Sequence, residues 1–322
     1  MVKPAISILF GMALLLPKTS LAQEDQPRYR FDARVDLVSV AVAVTDKQGN
    51  FIKDLKPEDF TVYEDGARQK IVHFGSGLKE SWLDLDPEMK EELSGEQVIA
   101  LILDASGSME EEMPLVRKAA LKFLNDIPKT QHLFLLDFDE NIRLSHYSSD
   151  DQRVIADRIF EVEAEGWTAL YDAVATILNR SYGYEGKKTL VVFSDGIDSR
   201  SALSMNECLD MVKASDVTIH CIHFSHRNSS QSFTESRFLR HIADMTGGSY
   251  AFASSLEKLD EFYDRILEEL FSQYTLGYVS TNSRRDGKYR KIKVVVHRDD
   301  VNVRHRRGYQ GPTAELEPGK SP

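Results

Sequence analysis

The sequence predicts an α/β fold in which a doubly wound, mostly parallel sheet is covered by helices on both faces. Apolar runs at 98–103, 132–138, 189–194 and 217–224 are nearly continuous rather than alternating, which is typical of strands buried on both faces of a parallel sheet. Segments with helical periodicity separate these runs, as they do in α/β proteins. The two patterns together predict the fold class.

The segments on either side of this region have the character of antiparallel strands. Residues 35–75 carry apolar residues at nearly alternating positions and contain Gly-Asn and Asp-Gly turn signals. Residues 273–309 are β-rich as well, around an Arg-Asp-Gly turn. Neither segment is long enough to hold a core alone. We therefore expect 35–75 and 273–309 to pair in a small β-sandwich-like domain, with the α/β domain inserted between them.

Composition predicts the remaining domain boundaries. The α/β domain is predicted to occupy 97–272, after a polar and acidic linker at 76–96. Residues 141–147 alternate and follow the second apolar run closely, so we expect an antiparallel edge strand there. Residues 310–322 have no apolar pattern and are predicted to be a disordered tail.

The first 22 residues resemble a secretory signal peptide. Lys3 supplies a positive charge, an apolar run follows, and Ala22 ends a small-residue cleavage site. That run is shorter than the roughly 20 residues that a membrane-spanning helix needs. We expect a mature chain that begins at Gln23, has no membrane span, and is exported to the periplasm or the outside.

Charge and cysteine content narrow the function classes. The chain of 322 residues has a net charge of −11, which argues against nucleic-acid binding because phosphate neutralisation needs a basic surface. Its two cysteines, Cys208 and Cys221, are too few for a disulfide framework. A bridge between them and a pair of buried thiols both stay open, and the second is favoured. The sequence does not predict the oligomeric state.

Polar residues follow three of the predicted strands or precede the adjacent helix. Asp104, Ser106 and Ser108 come directly after the first strand, Thr168 precedes a helix, and Asp195 follows a later strand. Loops at the carboxyl ends of parallel strands form the ligand crevice of an open sheet. These five residues offer carboxylate and hydroxyl oxygens, which suit Mg²⁺, Mn²⁺ or Ca²⁺ better than zinc.

This constellation resembles the metal-ion-dependent adhesion site of von Willebrand factor type A (VWA) domains. The D-x-S-x-S pattern of Asp104–Ser108 lies in VIALILDASGSM, Thr168 lies in GWTALYDA, and Asp195 lies in LVVFSDG. The resemblance extends from near Gln97 to near Ser272. The flanking β segments and the export signal also look like a group of secreted bacterial proteins built around this domain.

The resemblance implies both a ligand set and a function. Ser106, Ser108 and Thr168 would bind a divalent cation directly, Mg²⁺ above all, and Asp104 and Asp195 would act mostly through water. An Asp or Glu carboxylate of a protein partner would complete the shell, as in cell adhesion. The implied function is an exported, non-enzymatic protein-binding module. In some family members the last helix, here 255–273, moves on ligand binding, which makes it a candidate coupling element.

Other interpretations carry less weight. A structural or assembly component of the cell envelope would use the VWA surface without metal. A turn and helix N-cap would also place an acid and serines after a strand. A metal-dependent hydrolase is disfavoured because Ser106 has no matching histidine and GxSxG is absent, although Asp137 and Asp139 resemble a phosphatase acid pair. His220 and His223 should face opposite sides of a strand, which argues against a zinc site with His226.

Overall fold

The computed structural model describes residues 37–77, 97–127, 132–184, 186–224, 230–253 and 256–313. The predicted signal peptide (1–22), most of the acidic linker (76–96), His226 and the tail beyond 313 lie outside these residues. The strands are β1 (Leu37–Asp46), β2 (Phe60–Glu64), β3 (Ala67–Gln69), β4 (Ile71–Gly75), β5 (Gln97–Asp104), β6 (His132–Phe138), β7 (Ile142–Tyr147), β8 (Lys187–Ser194), β9 (Thr218–Phe224), β10 (Tyr250–Ala253), β11 (Tyr274–Val279), β12 (Tyr289–Val296), β13 (Val301–His305) and β14 (Gly308–Gln310). The helices are α1 (Met113–Asp126), α2 (Gln152–Glu161), α3 (Leu170–Ser181), α4 (Met205–Ala214), α5 (Ser230–Thr246) and α6 (Leu256–Ser272).

A six-stranded sheet in the order β10-β9-β8-β5-β6-β7 forms the centre of the α/β domain. Its neighbouring strands are parallel except for β7, which pairs antiparallel with β6. The predicted antiparallel edge strand is therefore confirmed. All residues of β5 are buried, which explains why its sequence is apolar without alternation.

Helices cover both faces of this sheet, as the fold class predicts. On one face, Ile99, Leu101 and Leu103 of β5 pack with apolar residues of α1, α2 and α6. On the other face, Val98 and Ala100 pack with α3, α4 and α5. The predicted α/β class is confirmed, with two separate cores of buried side chains sharing the sheet.

The flanking segments form two four-stranded sheets, β13-β1-β11-β4 and β14-β12-β2-β3. Strand β1 pairs antiparallel with β11 and β13, and β12 pairs antiparallel with β2, so both sheets combine strands from the two flanks. Val40 and Val62 are among the buried residues that form one core with Tyr278. The predicted β-sandwich-like domain is confirmed.

Two details of the sandwich differ from the expectation. Within 35–75, the sequence pattern predicts a single strand at QKIVHF (69–74), but β3 ends at Gln69 and β4 begins at Ile71 in the opposite sheet. The chain changes sheets at Lys70, which hydrophobic alternation cannot reveal. Gln310 belongs to β14 and Thr313 forms a β-bridge with Asp286, so the start of the predicted tail is ordered.

Among the described residues, no helix combines the length and the apolar composition that crossing a membrane requires.

Candidate functional site

Two loops at the carboxyl ends of the central strands are joined by backbone hydrogen bonds. The Ala105 carbonyl, in the loop after β5, accepts a hydrogen bond from Glu165 N–H (2.8 Å). In return, Gly107 N–H donates to the carbonyl of Gly166 (3.1 Å). These bonds hold the segment before α3, which carries Thr168, against the segment that carries the two serines.

A third loop, after β8, is hydrogen-bonded to the segment that carries Thr168. The Thr168 carbonyl accepts hydrogen bonds from Ser199 N–H and Arg200 N–H, both 2.9 Å, and Thr168 N–H donates to Ser199 Oγ (3.0 Å). Ser194, the last residue of β8, donates from its hydroxyl to Asp104 Oδ2 (2.6 Å). The structure thus gathers the loops of all five predicted site residues at one edge of the sheet.

Asp104 lies at the centre of this arrangement and is fully buried. Its Oδ1 accepts hydrogen bonds from Ser106 N–H (3.0 Å) and Ser106 Oγ (2.6 Å), and its Oδ2 accepts the bond from Ser194. Burial, and then repulsion from the Asp195 carboxylate, raise the pKa of Asp104 to about 7, while the hydrogen bonds oppose that rise. Two acids therefore interact unfavourably at the strand ends.

The hydroxyl groups of the site differ in their availability. Ser106 Oγ lies 3.1 Å from Ser108 Oγ, and Ser108 is exposed. The Thr168 hydroxyl is largely buried and makes no hydrogen bond to another described residue. Asp195 Oδ1 accepts a hydrogen bond from Ile197 N–H (3.0 Å), which fixes its carboxylate in the loop.

These residues fit a hard divalent cation. All five predicted ligands offer carboxylate or hydroxyl oxygens, the donors that Mg²⁺ and Ca²⁺ prefer. The mutual repulsion of Asp104 and Asp195 is the feature that a positive charge would relieve. Over the described ranges, no group of three or more His, Cys, Asp or Glu side chains is arranged to hold a metal ion. An ion at this site would therefore depend on the hydroxyl groups.

The site also contains residues that the sequence pattern does not predict. Ser194 orients Asp104, and Glu140, after β6, accepts a hydrogen bond from Trp167 N–H at Oε2 (2.8 Å). Trp167 itself is 64% exposed at the rim. Their positions in the sequence could have identified both residues, because Ser194 and Glu140 lie at or just after the carboxyl end of a central strand.

The turn of the turn-and-N-cap interpretation is present, since Asp104 Oδ1 accepts the hydrogen bond of Ser106 N–H, but the capping contact is not. Ser106 makes no side-chain capping bond to the short 3₁₀ turn Gly107–Met109, and α1 begins only at Met113. Its hydroxyl is instead directed to Asp104.

The two acids of the phosphatase-like pair form ion pairs with arginines. Asp137 forms ion pairs with Arg143 and Arg158, and Asp139 forms an ion pair with Arg143. The two carboxylates therefore serve to fix the edge strand β7 and helix α2 to β6.

His220, His223, Cys208 and Cys221 are buried in this domain. His220 accepts a hydrogen bond from Ser249 N–H at Nδ1, whereas His223 pairs with the hydroxyl of Tyr250. Cys208 and Cys221 are buried and free, and burial raises the pKa of both thiols.

A family model of the von Willebrand factor type A domain matches residues 99–265, which is more than half of the chain. The chain therefore belongs to the VWA domain family, whose domains mediate interactions between proteins. The curated relative that it matches is the mouse protein calcium-activated chloride channel regulator 3A-1, with 28% identity over 190 residues. That match covers 54% of this chain but 19% of the relative, so the chain spans about a fifth of that protein's length.

The solved structures to which the chain is similar include bacterial proteins. A von Willebrand factor type A protein from Catenulispora acidiphila is 12% identical, with a TM-score of 0.46, over 69% of this chain and 67% of that one. The PilB minor pilin from Streptococcus sanguinis is 14% identical, with a TM-score of 0.44, over 56% of this chain and 63% of that one.

Proposed function

We propose that the protein is an exported, non-enzymatic binding module that recognises an Asp or Glu carboxylate of a protein partner through a divalent cation, Mg²⁺ in the first place. The observation that carries this proposal is the convergence of three bonded loops on a buried acid pair, with hydroxyl groups beside it. Residues 1–22 support export through their signal-peptide pattern.

Some residues of the site would bind the cation directly, and others would orient its ligands. Because Ser106 donates its hydroxyl hydrogen to Asp104, Ser108 is the donor in the contact between the two serine hydroxyls, and Ser106 Oγ keeps one lone pair for a cation. Ser108 and Thr168 supply further hydroxyl oxygens on two different loops. Asp104 and Asp195 are held by hydrogen bonds in their own loops, which suits charge balance and the orientation of water. A bound cation would supply the positive charge that a partner carboxylate completes.

The first test measures cation binding directly. Mn²⁺ is titrated into the protein and the free ion is followed by electron paramagnetic resonance. We expect one ion per chain, and roughly ten-fold weaker binding in Thr168→Val, since that change removes one ligand with little change of shape. Thr176→Val, the same substitution on α3, should bind Mn²⁺ like the wild type, because the Thr176 hydroxyl donates its hydrogen bond to the carbonyl of Asp172, within the helix.

The second test separates the proposal from its alternative, an envelope component that uses the VWA surface without metal. Partners are captured from a cell-envelope extract with Mg²⁺, with EDTA, and with Asp104→Ala in the presence of Mg²⁺. Capture that needs both the ion and Asp104 supports cation-bridged recognition. Capture of the same partner under all three conditions contradicts it and favours the alternative.

A further inference from the structure

A cleft separates the α/β domain from the sandwich at the opposite end of the sheet. It is lined by the first residues of β8 and β9, which are parallel strands, so it lies at their amino ends, away from Asp104. Ser39 of β1 and Thr275 of β11 contribute the sandwich side. Its volume of about 530 Å³ lies within the range typical of small-molecule sites, which often form between domains.

The lining of this cleft is basic, in a chain whose net charge is −11. Among the described lining residues there is one acid, Asp216. The basic residues are Lys187, Lys188, Lys213 and Arg306. Positive charge is therefore concentrated where the two domains meet.

Two of these cations have no carboxylate partner in the described part of the chain. Lys188 is paired with Asp216, and Lys213 with Asp210 on the same helix. Over the described ranges, no carboxylate lies within 4.0 Å of the charged groups of Lys187 or Arg306.

Among the described residues, carbonyl oxygens alone accept the hydrogen bonds of these two cations. Lys187 Nζ donates to the Leu270 carbonyl (3.4 Å). Arg306 donates to the carbonyls of Gly308 and Ser215, both 2.8 Å.

The environment of both cations disfavours their charge. The surrounding protein removes enough water to lower the pKa of Lys187, although part of the residue stays exposed. Burial also lowers the pKa of Arg306, and Asp216 opposes that effect from a distance. Lys187 is exposed and Arg306 is half-buried, so a ligand in the cleft can reach both, and a partly desolvated cation gains from a neighbouring negative charge. An anion in the cleft would supply the missing partner.

We propose that this cleft binds a compact anion with phosphate or carboxylate groups, held by Lys187 and Arg306. Hydroxyl groups on both sides, including those of Ser39 and Thr275, are placed to share in binding its oxygens. Such a ligand touches both domains at once and therefore stabilises the contact between them. The site is separate from the candidate cation site and does not depend on it.

The test uses the mature protein in buffer free of divalent metal, because both probes bind such ions. Inorganic pyrophosphate and citrate are titrated separately by isothermal calorimetry, so that the two arms distinguish phosphate from carboxylate chemistry. We expect saturable binding of at least one probe at one site per chain. Lys187→Gln should weaken it by roughly ten-fold or more, since it removes one charged donor. Lys118→Gln, on the exposed surface of α1, is the matched control and should bind like the wild type.

The outcomes are decisive in both directions. Loss of binding in Lys187→Gln, with binding retained in Lys118→Gln, supports the proposal. Absence of saturable binding of either probe overturns it, and so does equal affinity of the wild type and Lys187→Gln. Thermal melting of each variant verifies that the fold is kept.

Discussion

Two buried carboxylates of the α/β domain have opposite surroundings. Burial and the nearby Asp195 raise the pKa of Asp104. Burial also tends to raise the pKa of Glu269, but His220 and Arg304 outweigh it, so the pKa of Glu269 is lowered. Glu269 already has the positive Arg304 beside it, whereas Asp104 has a second acid beside it. This contrast singles out Asp104 as the buried acid that an external cation would stabilise.

His220 should make the stability of the protein depend on pH. Burial lowers its pKa to about 4, and Arg304 acts in the same direction while Glu269 opposes it. The folded state therefore favours the neutral ring, and that stabilisation is complete above the unfolded pKa of about 6.5. It is lost as the pH falls towards 4, by about 3 kcal/mol in total.

The measurement is urea unfolding between about pH 4 and pH 7.5. In His220→Gln the loss of stability on acidification should be smaller than in the wild type. His241→Gln, an exposed substitution on α5, should follow the wild type at every pH. Identical pH slopes for His220→Gln and the wild type would contradict the assignment.

The candidate ligand set was predictable from sequence because each residue type, and its place after a strand or before a helix, carry information. The D-x-S-x-S pattern, Thr168 and Asp195 all follow that logic. The hydrogen bond from Ser194 to Asp104 was not predictable, since it depends on the pairing register of β5 with β8. Nor does any sequence pattern show that the Thr168 hydroxyl makes no hydrogen bond within the described part of the chain.

The loops that carry the site depend on a backbone conformation that only glycine adopts easily. Gly166, two residues before Thr168, has φ +71°, and a Cβ there would lie 2.8 Å from Oε2 of Glu140. That oxygen already accepts the hydrogen bond from Trp167 N–H. A side chain at position 166 would therefore disturb the segment that presents Thr168.

Gly166→Ala should weaken Mn²⁺ binding and lower the free energy of unfolding by about 1–2 kcal/mol, because of backbone strain and the displaced Glu140. Both quantities are measured on the same variant, by Mn²⁺ titration and by urea unfolding. Gly183→Ala is the matched control, since nothing lies within 4 Å of a Cβ at that position. If Mn²⁺ affinity stayed unchanged in Gly166→Ala, the loop would not be part of the site.

Helices and central strands were predictable because their hydrophobic patterns are long. In α6, Leu259, Phe262 and Ile266 are buried on one face, as the helical spacing predicts. The short strands of the sandwich were less predictable. Lys70 separates β3 from β4, which lie in different sheets, and three to five residues hold too few positions to define a face.

The molecule is organised so that the last helix of the α/β domain is also part of the contact with the sandwich. Helix α6 ends at Ser272 and β11 begins at Tyr274. Lys53 in the sandwich pairs with Glu268 of α6, and Arg304 of β13 pairs with Glu269. Movement of α6 would therefore act on the sandwich directly, which keeps the coupling role of 255–273 a testable hypothesis.

The basic cleft was not predictable from the sequence, because it exists only once the two domains are docked.

Arg304→Ala should destabilise the protein far more than loss of an ordinary surface charge would. The Glu269 side chain is completely buried, whereas that of Arg304 is 33% exposed, so the substitution leaves a buried carboxylate without its arginine across the domain contact. Breaking a buried ion pair in this way costs about 3 kcal/mol or more. Urea unfolding measures the effect.

Arg298→Ala is the control for that variant, because its pair with Asp54 lies within the sandwich and is exposed on both sides. Its expected cost is below about 1 kcal/mol. A midpoint for Arg304→Ala equal to that of Arg298→Ala would show that Glu269 does not depend on the sandwich. A clear separation of the two midpoints would mean that the inserted VWA domain draws part of its stability from strands encoded outside it.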